Sequence, residues 1–84
     1  MEVKIGSVTH YYTRLGVAII ELTDQLKVGD QIHVKGHSSD FTQPVGSMQI
    51  EHQDVPSAEA GSSIGLKVIE HAREGDEVFK VLPE

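Results

Sequence analysis

The side chains best suited to chemistry in this sequence are its five histidines, His10, His33, His37, His52 and His71. Imidazole nitrogens ligate transition metals, but a site needs several such donors converging on one point. His33 and His37 stand four apart, a spacing that shares a face on a helix and not on a strand with the loop that leaves it. The chain has no cysteine, and no carboxylate partner completes a ligand set. The histidines are therefore read as solvated, outward strand positions, with no metal and no cofactor expected. Glu51-His52-Gln53-Asp54 has the residue types of an acid–base cluster. A general base needs a partner and an enclosed cleft that tunes its pKa. A thin all-β domain fills its interior with side chains and leaves little room for one, so the segment is read as a polar strand exit. Ser38, Ser39, Ser62 and Ser63 lie in turn-like stretches, and none occupies a nucleophile elbow. The expectation is a protein that is not an enzyme. Tyr11 and Tyr12 are adjacent, so one ring faces outward if the strand is regular. An exposed tyrosine suits stacking on a base or anchoring a protein partner.

The elements that must carry these residues show period-two alternation, and no apolar spacing of three and four runs for a full helical length. Val3-Lys4-Ile5 starts a first strand whose apolar phase shifts beyond Gly6-Ser7 to Val8, His10 and Tyr12, which predicts a β-bulge. Thr13 to Gly16 reads as a turn. Val17 to Leu22 is apolar on both faces at its centre and is expected to be buried or paired on both sides. Gln31 to Lys35 points Ile32 and Val34 inward. Phe41 to Glu51 is read as one strand with Phe41, Val45, Met48 and Ile50 inward and a second bulge at Gly46. Asp54 to Ser63 has no strand signal, and Val55 and Ala58 are expected in a short helical turn plugging one end. Ile64 to Val68 and Glu77 to Val81 complete the set. Gly29-Asp30 and Gly75-Asp76 read as a shared turn solution.

With 84 residues, one domain over residues 1–84 is expected. Exposed strand edges are a hazard in so small a chain, and closure removes them. The expected fold is all-β, a six-stranded closed Greek-key antiparallel barrel. Net charge is −6, and the seven basic residues are dispersed. Phosphate backbones are bound mainly by neutralising them, so direct nucleic-acid binding is disfavoured. No apolar run approaches the roughly 20 residues that span a membrane, and the N-terminus lacks a signal-peptide pattern. With no cysteine to staple a thin core, a reducing, cytoplasmic setting is expected.

Three segments together resemble the second, barrel domain of the translational GTPases such as elongation factor Tu. They are Leu26-Lys27-Val28-Gly29-Asp30-Gln31-Ile32-His33-Val34; Val45-Gly46-Ser47-Met48-Gln49-Ile50 with Ala58 to Leu66; and Glu74-Gly75-Asp76-Glu77-Val78. The resemblance implies the six-stranded barrel and docking on a protein or ribosomal partner. There is no phosphate-binding loop, so GTP binding is not expected. Ser47, Ile50 and Ser63 depart from the residues that build the family's aminoacyl-end pocket, which weighs against that recognition. Barrels of this type also occur as C-terminal appendages of collagenase-like peptidases. The expected function is a non-catalytic binding module docking in translation. The alternative is a detached accessory subunit or regulatory domain of an enzyme such as a collagenase-like peptidase. Tyr11, Tyr12, Gln49, Glu51, His52, Ser62 and Ser63 are the expected partner surface.

Overall fold

A computed structural model describes residues 1–83. Among the described residues ten strands form, in chain order β1 (Glu2–Tyr12), β2 (Val17–Leu22), β3 (Leu26–Lys27), β4 (Gln31–Lys35), β5 (Asp40–Pro44), β6 (Met48–Ile50), β7 (Gln53–Val55), β8 (Ser57–Ala58), β9 (Ser63–Lys67) and β10 (Glu77–Val81). Every pairing is antiparallel. Eight strands form one sheet in the order β5-β4-β10-β1-β2-β9-β6-β7, and β3 pairs with β8 as a separate ribbon. The pairing leaves two ends, β5 and β7. The all-β fold expected from the sequence holds, and the hydrogen-bonded ladder runs from β5 to β7 around one core without closing on itself. Among the described residues, no helix is long and apolar enough to cross a membrane.

The inward phase of each strand feeds that core. Ile5, Ile20, Leu22, Ile32, Met48, Ile64 and Leu66 are each at most 1% exposed. β1 slips register twice, between Lys4 and Gly6 against β10 and between Val8 and His10 against β2. The first slip lies at the predicted bulge. The second turns the following residues over, so half-buried Tyr11 packs on the core while His10 and Tyr12 face out. Gly6 sits where β1 crosses β2. A Cβ there would stand 2.5 Å from the Glu21 carbonyl oxygen, so only glycine allows the approach.

Two other expectations change. Phe41 to Glu51 is not one bulged strand. The chain breaks at Val45-Gly46-Ser47, so that β5 pairs with β4 while β6 pairs with β7 and β9. The helical turn near Val55 and Ala58 is replaced by β7 and β8. Pro56 favours extended backbone in the residue before it, and its carbonyl accepts from Val28 N–H at 3.0 Å. Ala58 still reaches the core, 4% exposed.

The two Gly-Asp turns are one structural solution. Asp30 Oδ2 accepts from Lys27 N–H at 2.9 Å, and Asp76 Oδ2 accepts from Arg73 N–H at 2.8 Å. The preceding glycines hold φ of 98° and 92°. Gln43 occupies an inward position of β5 at 5% exposure. Its Oε1 accepts from Ile69 N–H at 2.7 Å and its Nε2 donates to the Lys67 carbonyl at 3.0 Å. The amide thus ties the end strand β5 to the chain leaving β9, where no backbone ladder joins them.

Candidate functional site, an apolar groove under a strained hairpin

β2 reads Val17-Ala18-Ile19-Ile20-Glu21-Leu22, and its two faces have different fates. Ala18, Ile20 and Leu22 enter the core, whereas Val17 and Ile19 remain half-buried on the outer face. The expectation that this strand is buried or paired on both sides is met by pairing, with β1 on one edge and β9 on the other, while full burial is confined to the inward face. On the neighbouring β9, Gly65 stands opposite Ile19 and offers no side chain to cover it. The result is a groove of about 640 Å³ with Tyr12, Leu15, Val17 and Ile19 on one side and Gln49, Glu51, His52 and Ser63 on the other, Ile64 and Gly65 between them. Its size lies within the roughly 300–1,000 Å³ of ordinary ligand pockets. Leu15 and Tyr12 are 63% and 46% exposed.

The hairpin joining β6 to β7 forms the polar rim. Ile50 pairs with Gln53, so Glu51 and His52 make a two-residue turn. Their φ values are 51° and 66°, both in the left-handed region that such hairpin loops use and that Asn-Gly fills most readily. Non-glycine residues there are strained by about 1–2 kcal/mol each. Strained backbone of this kind concentrates at functional sites. Beside the turn, Gln49 Nε2 donates to Asp54 Oδ1 at 3.0 Å. Glu51 and His52 make no side-chain hydrogen bond or ion pair among the described residues, and both are exposed.

Five of the seven residues expected at a partner surface meet here: Tyr12, Gln49, Glu51, His52 and Ser63. Tyr11 does not. Its ring lies 4.4 Å from that of His71, in a small recess of about 250 Å³ with Arg73 and Glu74. Ser62 is half-buried in the turn before β9, where its carbonyl accepts from Leu22 N–H at 2.9 Å. Leu15, Val17, Ile19 and Gly65 join those five in the groove without having been among the expected surface residues. Their signal was the apolar residues on the outward phase of β2, opposite a glycine on the strand it pairs with.

Of the histidines, His33 is the one held on both sides. Its Nε2 meets Asp40 Oδ1 at 2.5 Å and its Nδ1 meets Glu2 Oε2 at 2.8 Å. The Asp40 hydrogen bond raises its pKa above 6.5, partial burial opposes that rise, and the Glu2 hydrogen bond adds to it. The carboxylates take opposite ring nitrogens, so they clamp the imidazole and do not converge on a common point. Among the described residues, no three His, Asp or Glu side chains gather as a metal-ligand set.

The sequence is 40% identical over 79 residues to an uncharacterised protease of Methanocaldococcus jannaschii, covering 93% of this chain and 19% of that protein. It is 31% identical over 81 residues to a collagenase of Porphyromonas gingivalis, covering 94% of this chain and 20% of the collagenase. The chain thus spans about a fifth of the length of the curated relatives it matches. No protein-family profile matches it. Its fold matches the crystal structure of a C-terminal domain from a Geobacillus thermoleovorans protein described as a U32 peptidase. The TM-score is 0.87 at 20% identity, over 93% of this chain and 91% of that one. The resemblance to translational GTPases finds no support in these relatives.

Proposed function

We propose that this chain is a non-catalytic accessory domain of a peptidase-like protein, which uses the groove between β2 and β9 to hold a protein segment. The observation that carries this reading is the 40% identity across 93% of the chain to only 19% of a protease, which leaves most of that protein outside the match. The groove supplies what a holding domain needs, an apolar floor with a polar rim. Glu51 and His52 stand exposed at a hairpin tip, with no side-chain partner among the described residues to orient either as a general acid or base. A cysteine-free chain suits a reducing, cytoplasmic setting. Nothing in the groove favours docking on a ribosome over this reading.

The test uses the M. jannaschii relative with its 79 matched residues deleted or replaced by this chain. The deletion is expected to raise KM on labelled casein with kcat kept, and the graft is expected to restore KM. A deletion with unchanged kcat/KM would overturn the accessory role. Casein hydrolysis by the purified 84-residue chain would overturn the non-catalytic one.

A further inference from the structure

The groove has a direction. On β2 the outward residues are Val17, Ile19 and Glu21, and on β9 they are Ser63, Gly65 and Lys67, with Val17 opposite Lys67 and Glu21 opposite Ser63. The four-residue rise between those two rows is about 13 Å at roughly 3.3 Å per residue, the length of four or five residues of extended peptide. At the Glu21 end, Glu51 also lines the groove, exposed and without an ion pair among the described residues. Asp54 stands beside Gln49 on the same rim. The middle of the groove is aliphatic, and Gly65 keeps it open. A Cβ there would make ordinary contacts with Val17 Cγ1 and Ile19 Cδ1 at 3.6 and 3.7 Å, so the missing side chain is not forced by crowding.

From this arrangement we infer that the groove binds an extended peptide segment with aliphatic side chains two residues apart and a lysine or arginine beyond them. Alternate side chains of an extended segment point the same way, so two seat over Val17 and Ile19. The basic residue then reaches Glu51 and Glu21. Charge selects against the other occupants. A second copy carries the same net charge of −6, and a two-fold contact would set like rims against each other. A nucleic-acid strand needs basic residues along its track and aromatic platforms for its bases, whereas the groove is lined by no lysine or arginine and by one tyrosine, with Glu51 as its carboxylate and Lys67 outside the lining at the Val17 end. The inference deepens the accessory reading proposed above and rests on it for the source of the segment.

The test is fluorescence polarisation on the purified full chain. The probe is a fluorescein-labelled, end-capped peptide, Lys-Ser-Val-Ser-Val-Ser-Lys, compared with its counterpart bearing glutamate at both ends. The lysine peptide is expected to bind roughly twofold to fivefold more tightly, the range of one exposed ion pair. Glu51→Lys is expected to reverse that preference. Gly65→Val is expected to weaken both peptides at least threefold while melting close to the wild type. Three results overturn the inference: no binding of the lysine peptide up to about 1 mM; equal binding of the two peptides that Glu51→Lys leaves unchanged; or tighter binding of labelled oligothymidine than of either peptide. Self-association that Gly65→Val abolishes would also overturn it, by assigning the groove to a second copy. Failure here with a successful graft sinks only the peptide chemistry. Peptide binding with a failed graft sinks only the accessory role.

Discussion

Replacing Gln43 by methionine removes a tie that no backbone ladder duplicates. Methionine keeps the length and much of the volume but can neither accept from Ile69 N–H nor donate to the Lys67 carbonyl, the bonds Gln43 makes at 2.7 and 3.0 Å. A typical hydrogen bond contributes about 0.5–1.5 kcal/mol net, and a partner left buried and unsatisfied raises the loss to about 1–3 kcal/mol. Lys67 and Ile69 lie at the surface, Ile69 with 68% exposure, so their backbone groups regain some water. The lower part of the range applies, and two bonds give about 2–3 kcal/mol. In a domain of this size that lowers Tm by roughly 8–20 °C. Urea unfolding followed by circular dichroism reads the free energy. Hydrogen exchange at the Ile69 amide reads the local bond, with protection expected in the wild type and lost in Gln43→Met. Gln43→Glu separates the two bonds. As a carboxylate it still accepts from Ile69 N–H but faces the Lys67 carbonyl with no proton to donate. Burial raises that carboxyl's pKa above the ordinary value of about 4.3, so its deficit relative to wild type should shrink as pH falls through the raised value and be smallest below about pH 4, where the protonated acid donates again. A Gln43→Met protein within about 0.5 kcal/mol of wild type, with the same denaturant slope, would refute the tie.

Three further outcomes are expected. Gly6→Ala places a Cβ 2.5 Å from the Glu21 carbonyl oxygen and 3.1 Å from Ile20 Cγ2, and forcing β1 off β2 should destabilise by about 1–3 kcal/mol in urea titrations. Replacing Glu51 and His52 together by asparagine and glycine puts a more tolerant residue at the first positive φ and an unstrained one at the second. Stability should rise by roughly 1–2 kcal/mol by the same assay while lysine-peptide binding falls, the trade expected where strain serves a site. His33 has a raised folded pKa, so its contribution to stability is fully present below about pH 6.5 and is lost as pH rises through the folded value. Thermal melts of wild type and His33→Gln should therefore differ more at about pH 5.5 than at about pH 8.5, and an equal difference at both would remove the clamp from the account.

Alternation was enough to place β4 and β10 and to assign Ile32, Val34 and Val78 to the core, because period-two burial is a local property of extended chain. Glycine placed the bend in β1, since only that residue type admits the Glu21 carbonyl so closely. The repeated Gly-Asp turns were legible for the same reason, each closed by its own Asp carboxylate three residues on. Elsewhere the signal misled. Gln43 is a polar residue on the inward phase of β5, and its burial depends on the Ile69 N–H and Lys67 carbonyl, partners remote in sequence that local pattern does not reveal. Val55 and Ala58 suggested a helical turn, yet each residue found an edge to pair with.

Strand periods, tight turns, acidic charge and the lack of any thiol are legible in residue types and their near neighbours. Closure of the sheet and the site were decided by tertiary structure. Whether a sheet closes depends on contacts between strands far apart in the chain, and here the pairing stops at β5 and β7. The groove needed Val17 and Ile19 of β2, Gly65 of β9 and the Glu51-His52 tip brought together. Residues 17 and 65 are neighbours only because β2 lies against β9 in one register, and a slip of one residue would have turned the aliphatic floor inward and left no site.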